Sequence, residues 1–208
     1  MNWREAPATA ALAVATLLVS AFLILGGSLD AASLQAGFIP VRLQVDNPAF
    51  VVPWLLTPLS ATLVHGGWTH LGFNLIMLGF CGYETERTLG SRGLIVLYLI
   101  GAYVAAAGQW VAGPTSPVPM IGASGAISAV IAAYSLFYGK MRAKPLGPIP
   151  ASVIHVLWLA AAWIGIQLLT GLAGLNGEVR IAIGAHIGGF IAGLLLARPL
   201  LRWRYRKA

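Results

Sequence analysis

Long apolar blocks, separated by short polar or charged stretches, dominate this chain. A bilayer span needs about 20 mostly apolar residues, and six blocks meet that need. They run from Thr9 to roughly Leu29, from roughly Gly66 to Tyr83, from Gly93 to Gly113, from roughly Met120 to Gly139, from roughly Ile149 to Gly171, and from Ile181 to Ala197. The pattern predicts an all-α membrane protein, a bundle of six transmembrane helices. Residues 1–8 precede the membrane domain, 9–197 form it, and 198–208 make a basic tail.

The first block also has the small residues Asp30-Ala31-Ala32-Ser33 behind it, as a signal-peptide cleavage site would. Its apolar run is longer than the ~7–15 residues of a signal peptide, so it is read as an uncleaved anchor. The long first loop, roughly Asp30 to His65, holds Phe50-Val51-Val52-Pro53-Trp54-Leu55-Leu56. That stretch is too short to span and is broken by Pro48, Pro53 and Pro58. It is expected in the headgroup region, anchored by Trp54.

Composition supports the membrane reading. The chain has 208 residues, 58% hydrophobic and only 9% charged, against about 25% charged in soluble domains. Mean hydropathy is +0.82. The single cysteine, Cys81, excludes an internal disulfide and is read as a buried packing residue. The net charge of +7 would suggest nucleic acid in a soluble protein, but its placement gives another reason. Six spans put Arg4, Arg87, Arg92, Lys140, Arg142, Lys144, Arg198, Arg202, Arg204, Arg206 and Lys207 on one side, and only Arg42 and Arg180 on the other. Positive loops stay inside, so both termini are expected in the cytoplasm, and no nucleic-acid partner is implied. The expected location is a bacterial inner membrane, with the basic tail against anionic headgroups.

Polar residues inside a bilayer mark function by default. Here they are His70, Asn74, Gln109, Ser124, His155, Gln167 and His186. The predicted topology sorts them by depth. His70, Asn74, Ser124 and His186 share the outer half of three spans, whereas His155 lies near the cytoplasmic surface.

Ser124 stands in Gly122-Ala123-Ser124-Gly125, after Pro114, Pro117 and Pro119, and opens an apolar helix. A helix start offers free N–H groups and a positive dipole end, suited to the oxyanion formed when a serine attacks a carbonyl. The same motif also suits simple small-residue packing. His186, in Gly184-Ala185-His186-Ile187-Gly188-Gly189, has Gly189 and Gly193 on its helix face. That stripe would pack the sixth span on the Gly/Ala/Ser face of the fourth, bringing His186 toward Ser124 as a general base. The alternative is a structural histidine bonded to a neighbouring helix. His70 and Asn74 share a face at i and i+4 and both can donate to an oxyanion. They make a poor metal pair, with no carboxylate or Cys beside them. Neither a metal nor a cofactor is implied. No acidic residue falls in a proposed span. Asp30, Asp46 and Glu178 are loop residues, so a Ser–His dyad is favoured over a triad.

These residues resemble the rhomboid family of intramembrane serine proteases. The resemblance rests on His65-x4-His70-x3-Asn74 at the second span, Gly122-Ala123-Ser124-Gly125 at the fourth and Ala185-His186-x2-Gly189 at the sixth. Gly82-x3-Glu86-x3-Gly90-Ser91-x-Gly93, leading into Leu97-Tyr98, joins them; the similarity runs from about Trp54 to Ala197. It implies a rhomboid-like six-helix bundle, with Ser124 as nucleophile and His186 as base. His70, Asn74 and the Ser124 N–H would be the oxyanion donors, and Gly122, Gly125 and Gly189 would support them. His65 matches an outer histidine that helps hold the site and its water, lining a polar cavity with His70, Asn74 and Ser124. Some members carry an aromatic four residues after the nucleophile; here that residue is Ser128, so another side chain must hold His186. Gln109 is a candidate for bringing water to the site.

The implied substrates are transmembrane proteins within the lipid bilayer, entering between helices and unwinding to expose a peptide carbonyl. The competing readings are a rhomboid-fold chaperone or adaptor binding membrane clients, and a small transporter. The transporter would need polar residues across the full depth.

Overall fold

Glycine and alanine decide how the centre of this fold is packed. The structure, a computed structural model, describes residues 2–44, 52–139, 143–174 and 182–206, with the side chains of 167, 168 and 170–174 excepted. The helices are α1 (Pro7–Leu25), α2 (Leu29–Ala36), α3 (Thr57–Ser60), α4 (Trp68–Met77), α5 (Tyr83–Ala112), α6 (Ser124–Tyr138), α7 (Ala151–Gly174) and α8 (Ile183–Arg204). Helices α5, α6 and α8 form the packed centre; α1 and α4 flank it, and α7 leans on α8.

The contacts among the central three are backbone-close. A Cβ added at Gly101 of α5 would stand 2.7 Å from the Ala129 Cβ of α6. One at Gly188 of α8 would stand 2.6 Å from the Val104 carbonyl oxygen of α5. Gly189 and Gly193 abut the Gly125 and Ala129 carbonyl oxygens of α6. The small-residue stripe on α8 therefore meets α6 as the spacing predicts, and α8 also presses on α5 at Gly108.

Outward faces are apolar and exposed, including Leu18, Phe22, Phe73, Ile76, Val111, Trp158 and Leu195. In a soluble protein such surface would be a liability; here it is surface for lipid. Pro7–Leu25, the continuous run Trp68–Ala112 and Ile183–Arg204 are long and apolar enough to cross a bilayer, and Ser124–Tyr138 and Ala151–Ile166 are shorter apolar helices.

The second and sixth blocks end elsewhere than the sequence predicts. The second block does not end at Tyr83. A π-helical turn, Leu78–Gly82, carries α4 into α5, and the chain bends only at Gly90, where φ is 74°. A left-handed residue is open mainly to glycine, so the expected loop is a kink between helical segments. Cys81 is buried in the π turn. The sixth block continues past Ala197 to Arg204, with Pro199 inside the helix.

The first loop is more ordered than a headgroup-lying segment. It contains α2, 3₁₀ turns at Pro40–Leu43, Trp54–Leu56 and Ala61–Leu63, and α3. Phe38 and Met120 exchange backbone hydrogen bonds of 3.0 and 2.8 Å, and the Ser60 hydroxyl donates to the Ala36 carbonyl at 2.7 Å. Trp54, Leu55 and Leu56 are exposed, as a membrane-facing segment requires. Asp46, Pro48, Phe50, Val51, Lys140, Arg142, Glu178, Arg180, Lys207 and the Gln167 side chain lie outside the described residues.

The N-terminus of α1 has no side-chain cap of its own. Buried Glu86 supplies one, accepting from the Ala8 N–H (2.9 Å), the Thr9 N–H (2.7 Å) and the Thr9 hydroxyl (2.7 Å). A carboxylate at a helix N-terminus also complements the dipole.

Candidate active site

Ser124 is the first residue of α6. Its N–H precedes the intrahelical ladder and has no acceptor within the helix. The segment before it is held from several directions. Gly122 N–H donates to the Ala61 carbonyl at 2.9 Å, and the Phe38–Met120 pair fixes the chain two residues earlier. Gly122 has φ of 106°, and a Cβ there would come within 2.7 Å of His70 Cε1 and Nε2 and 3.8 Å of Ser124 Oγ. The missing side chain leaves the space between His70 and Ser124 open.

His186, in the first turn of α8, reaches across the glycine contact to Ser124. Its Nε2 lies 2.8 Å from Ser124 Oγ, within the range of a base poised to take the hydroxyl proton. This approach follows from Gly189, because a Cβ there would run into the Gly125 carbonyl and push α8 off α6; one at Gly125 would instead meet Ala105 of α5 at 2.6 Å. Ser128 takes no part in holding the imidazole from the position four residues on; its hydroxyl donates to the Ser124 carbonyl at 2.7 Å. The turn that bears His186 is held instead from α7. Trp163 Nε1–H donates to the His186 carbonyl at 3.2 Å, and the Trp163 ring stacks on Phe190 at 4.8 Å. No motif points to Trp163; it is one aromatic in an apolar run.

His70 and Asn74 share a face of α4 as their spacing predicts. Asn74 Nδ2 donates one proton to the His70 carbonyl at 2.9 Å, leaving its second N–H available. Gly66 N–H donates to His70 Nδ1 at 3.2 Å. That nitrogen must then be unprotonated, so neutral His70 carries its proton on Nε2, the edge facing Gly122.

His65 does not line an open cavity. It is fully buried, because the loop turns its ring inward between α1 and the chain leading into α6. The Ser20 hydroxyl donates to the Leu63 carbonyl (2.8 Å) and lies 2.9 Å from His65 Nδ1. Having spent its one proton, Ser20 accepts from Nδ1–H. His65 Nε2 is then free to accept the Ala123 N–H at 3.3 Å. Burial pushes this imidazole down to about 3, in keeping with a neutral ring. Gln109 is likewise structural: its Oε1 accepts the Ala185 N–H at 3.3 Å, which ties α5 to the start of α8. His155, in the second turn of α7, is buried with an unpartnered Nε2. Among the described residues no three His, Cys, Asp or Glu side chains gather as a metal-ligand set.

Comparison with known proteins places this geometry in context. A family model for the rhomboid domain matches residues 54–203. The chain is 28% identical to the rhomboid protease GlpG of Pectobacterium atrosepticum over 170 residues, covering 76% of this chain and 56% of that one. It is 33% identical to the rhomboid protease GluP of Bacillus subtilis, covering 70% of this chain and 26% of that one. With the rhomboid protease AarA of Providencia stuartii the identity is 30%, covering 69% and 55%. The chain thus spans about half, or less, of the length of these curated relatives.

Proposed function

The chain belongs to the rhomboid family, and from that premise we propose that it is an intramembrane serine endopeptidase acting through a Ser124–His186 dyad. The observation that carries this reading is the 2.8 Å approach of His186 Nε2 to Ser124 Oγ. The relatives named above are rhomboid proteases, which supports the same activity here.

In this mechanism Ser124 Oγ attacks the substrate peptide carbonyl while His186 Nε2 takes its proton. The carbonyl oxygen becomes an oxyanion, which receives hydrogen bonds from the Ser124 N–H, the second Asn74 Nδ2 proton and His70 Nε2–H. Each such donor contributes about 3–4 kcal/mol to the transition state. The C–N bond then breaks, and His186 returns the proton to the leaving amine. Water attacks the resulting serine ester, giving its proton to His186. Collapse of that second tetrahedral species releases the carboxyl product and restores the Ser124 hydroxyl.

Six spans fit the helices: α1, α4 through the π turn to Gly90, the rest of α5, α6, α7 and α8. The Lys/Arg asymmetry puts residues 1–8 and 198–208 in the cytoplasm of a bacterial cell, with membrane domain 9–197 carrying the dyad near the outer face of the inner membrane. Substrates are transmembrane proteins whose helices unwind readily near that face, since exposed backbone in lipid is costly. A fluorophosphonate probe tests the dyad. Labelling should occur in the wild type, vanish in Ser124→Ala and slow at least a hundredfold in His186→Ala; equal labelling of all three would overturn it.

A further inference from the structure

Far from the dyad, the kink at Gly90 and the end of α8 enclose a cleft of about 460 Å³, lined by Leu89, Gly90, Arg92, Trp203, Arg204 and Arg206 among others. We propose that this cleft binds the phosphate of one anionic phospholipid in the leaflet opposite the active site.

Three observations carry the assignment. The first is charge. Three guanidinium groups line one cleft, and among the described residues none of them has a carboxylate within ion-pair distance. The nearby carboxylate of Glu86 is buried and turned to α1, where it also accepts the Ser91 hydroxyl at 2.6 Å. Arg204 is anchored rather than splayed, donating through Nη1 to the Arg87 carbonyl, so its remaining donors are held at the cleft.

The second is depth. Arg204 stands eighteen helical steps after His186 on α8, about 27 Å along the axis. That is close to the thickness of the hydrocarbon core, so a dyad below one surface places the cleft at the opposite headgroup layer. The third is its apolar lining. Exposed Trp203 gives a wall for glycerol and upper acyl carbons beside the cations, and Trp at this level is a usual interfacial anchor. A basic tail that merely reported topology would spread its charges; here Arg92 of α5 meets Arg204 at the end of α8 and Arg206 in the turn beyond it. The choice of leaflet rests on the outer placement of the dyad in the proposed function, whereas the binding test reads lipid alone and does not depend on protease activity.

The test is native mass spectrometry of the full chain in neutral detergent, titrated with phosphatidylglycerol, phosphatidylcholine or inorganic phosphate. One phosphatidylglycerol should be retained at least tenfold more tightly than phosphatidylcholine. Arg92→Gln combined with Arg206→Gln should weaken it about tenfold or more. Removing two charges elsewhere, Arg4→Gln with Arg202→Gln, should leave it unchanged. Equal weakening by both pairs would mean diffuse charge attraction and overturn the site. So would equal retention of the two lipids, or displacement of phosphatidylglycerol by millimolar inorganic phosphate, which would mark a free-anion site.

Discussion

Gly189 of α8 lies directly against the carbonyl oxygen of Gly125 in α6, leaving no room for a methyl group between them. Gly125 follows the proposed nucleophile and Gly189 follows the proposed base by one turn, so this contact sets the dyad distance. Gly189→Ala should move α8 off α6, destabilise the protein by about 1–3 kcal/mol and reduce fluorophosphonate labelling at least a hundredfold. Gly165→Ala on α7, where an added Cβ meets nothing within 4 Å, should leave both unchanged. Melting in detergent and labelling rates check the pair.

His65 joins α1 to the chain entering α6 by two hydrogen bonds. His65→Ala leaves the Ala123 N–H without its partner and Ser20 with the Leu63 carbonyl alone, and should cost about 2–3 kcal/mol. The site has a pH signature as well. An unfolded imidazole titrates near 6.5, and the folded one is held down to about 3. Between those values the unfolded chain binds more protons, so stability falls as pH falls, by up to about 1.4 kcal/mol per pH unit. Above 6.5 the group contributes no slope. Melting from pH 7 to 5 should show a steeper decline in the wild type than in His65→Ala; parallel curves would contradict the assignment.

Trp163→Phe keeps a ring on Phe190 but removes the donor to the His186 carbonyl. The expected effect is about 1 kcal/mol of stability, seen as a melting point lower by about 2–4 °C, together with a slower labelling rate. Trp163→Ala, which also loses the stack, should be markedly worse.

His155 carries no role in the proposed chemistry. Labelling in His155→Ala should stay within about threefold of wild type. A folded variant that fails to label would break the assignment of sides to the helices.

Much of this arrangement is legible in the sequence, for physical reasons. Apolar blocks report spans because lipid demands them, and Gly189 and Gly193, four apart, report a helix face. Those two signals suffice to set His186 opposite Ser124. The inward turn of His65 is not legible, because residues between helices have no periodicity to say where a side chain points. The Phe38–Met120 pairing joins positions distant in sequence, and neither residue type marks it. The helix through Gly82 to Gly90 looks like a loop in the sequence because Glu84, Glu86 and Arg87 are charged; the fold buries Glu86 as the cap that α1 lacks. Trp163 emerges only from the packing of α7 on α8.

Ser124 and His186 are proposed to hydrolyse a peptide bond within the membrane. The most direct test is purified protein in liposomes with a model transmembrane substrate, the products located by mass spectrometry. The wild type should cleave near the outer end of the substrate's span, and Ser124→Ala and His186→Ala should not cleave. Cleavage that persists in folded Ser124→Ala would contradict the proposal.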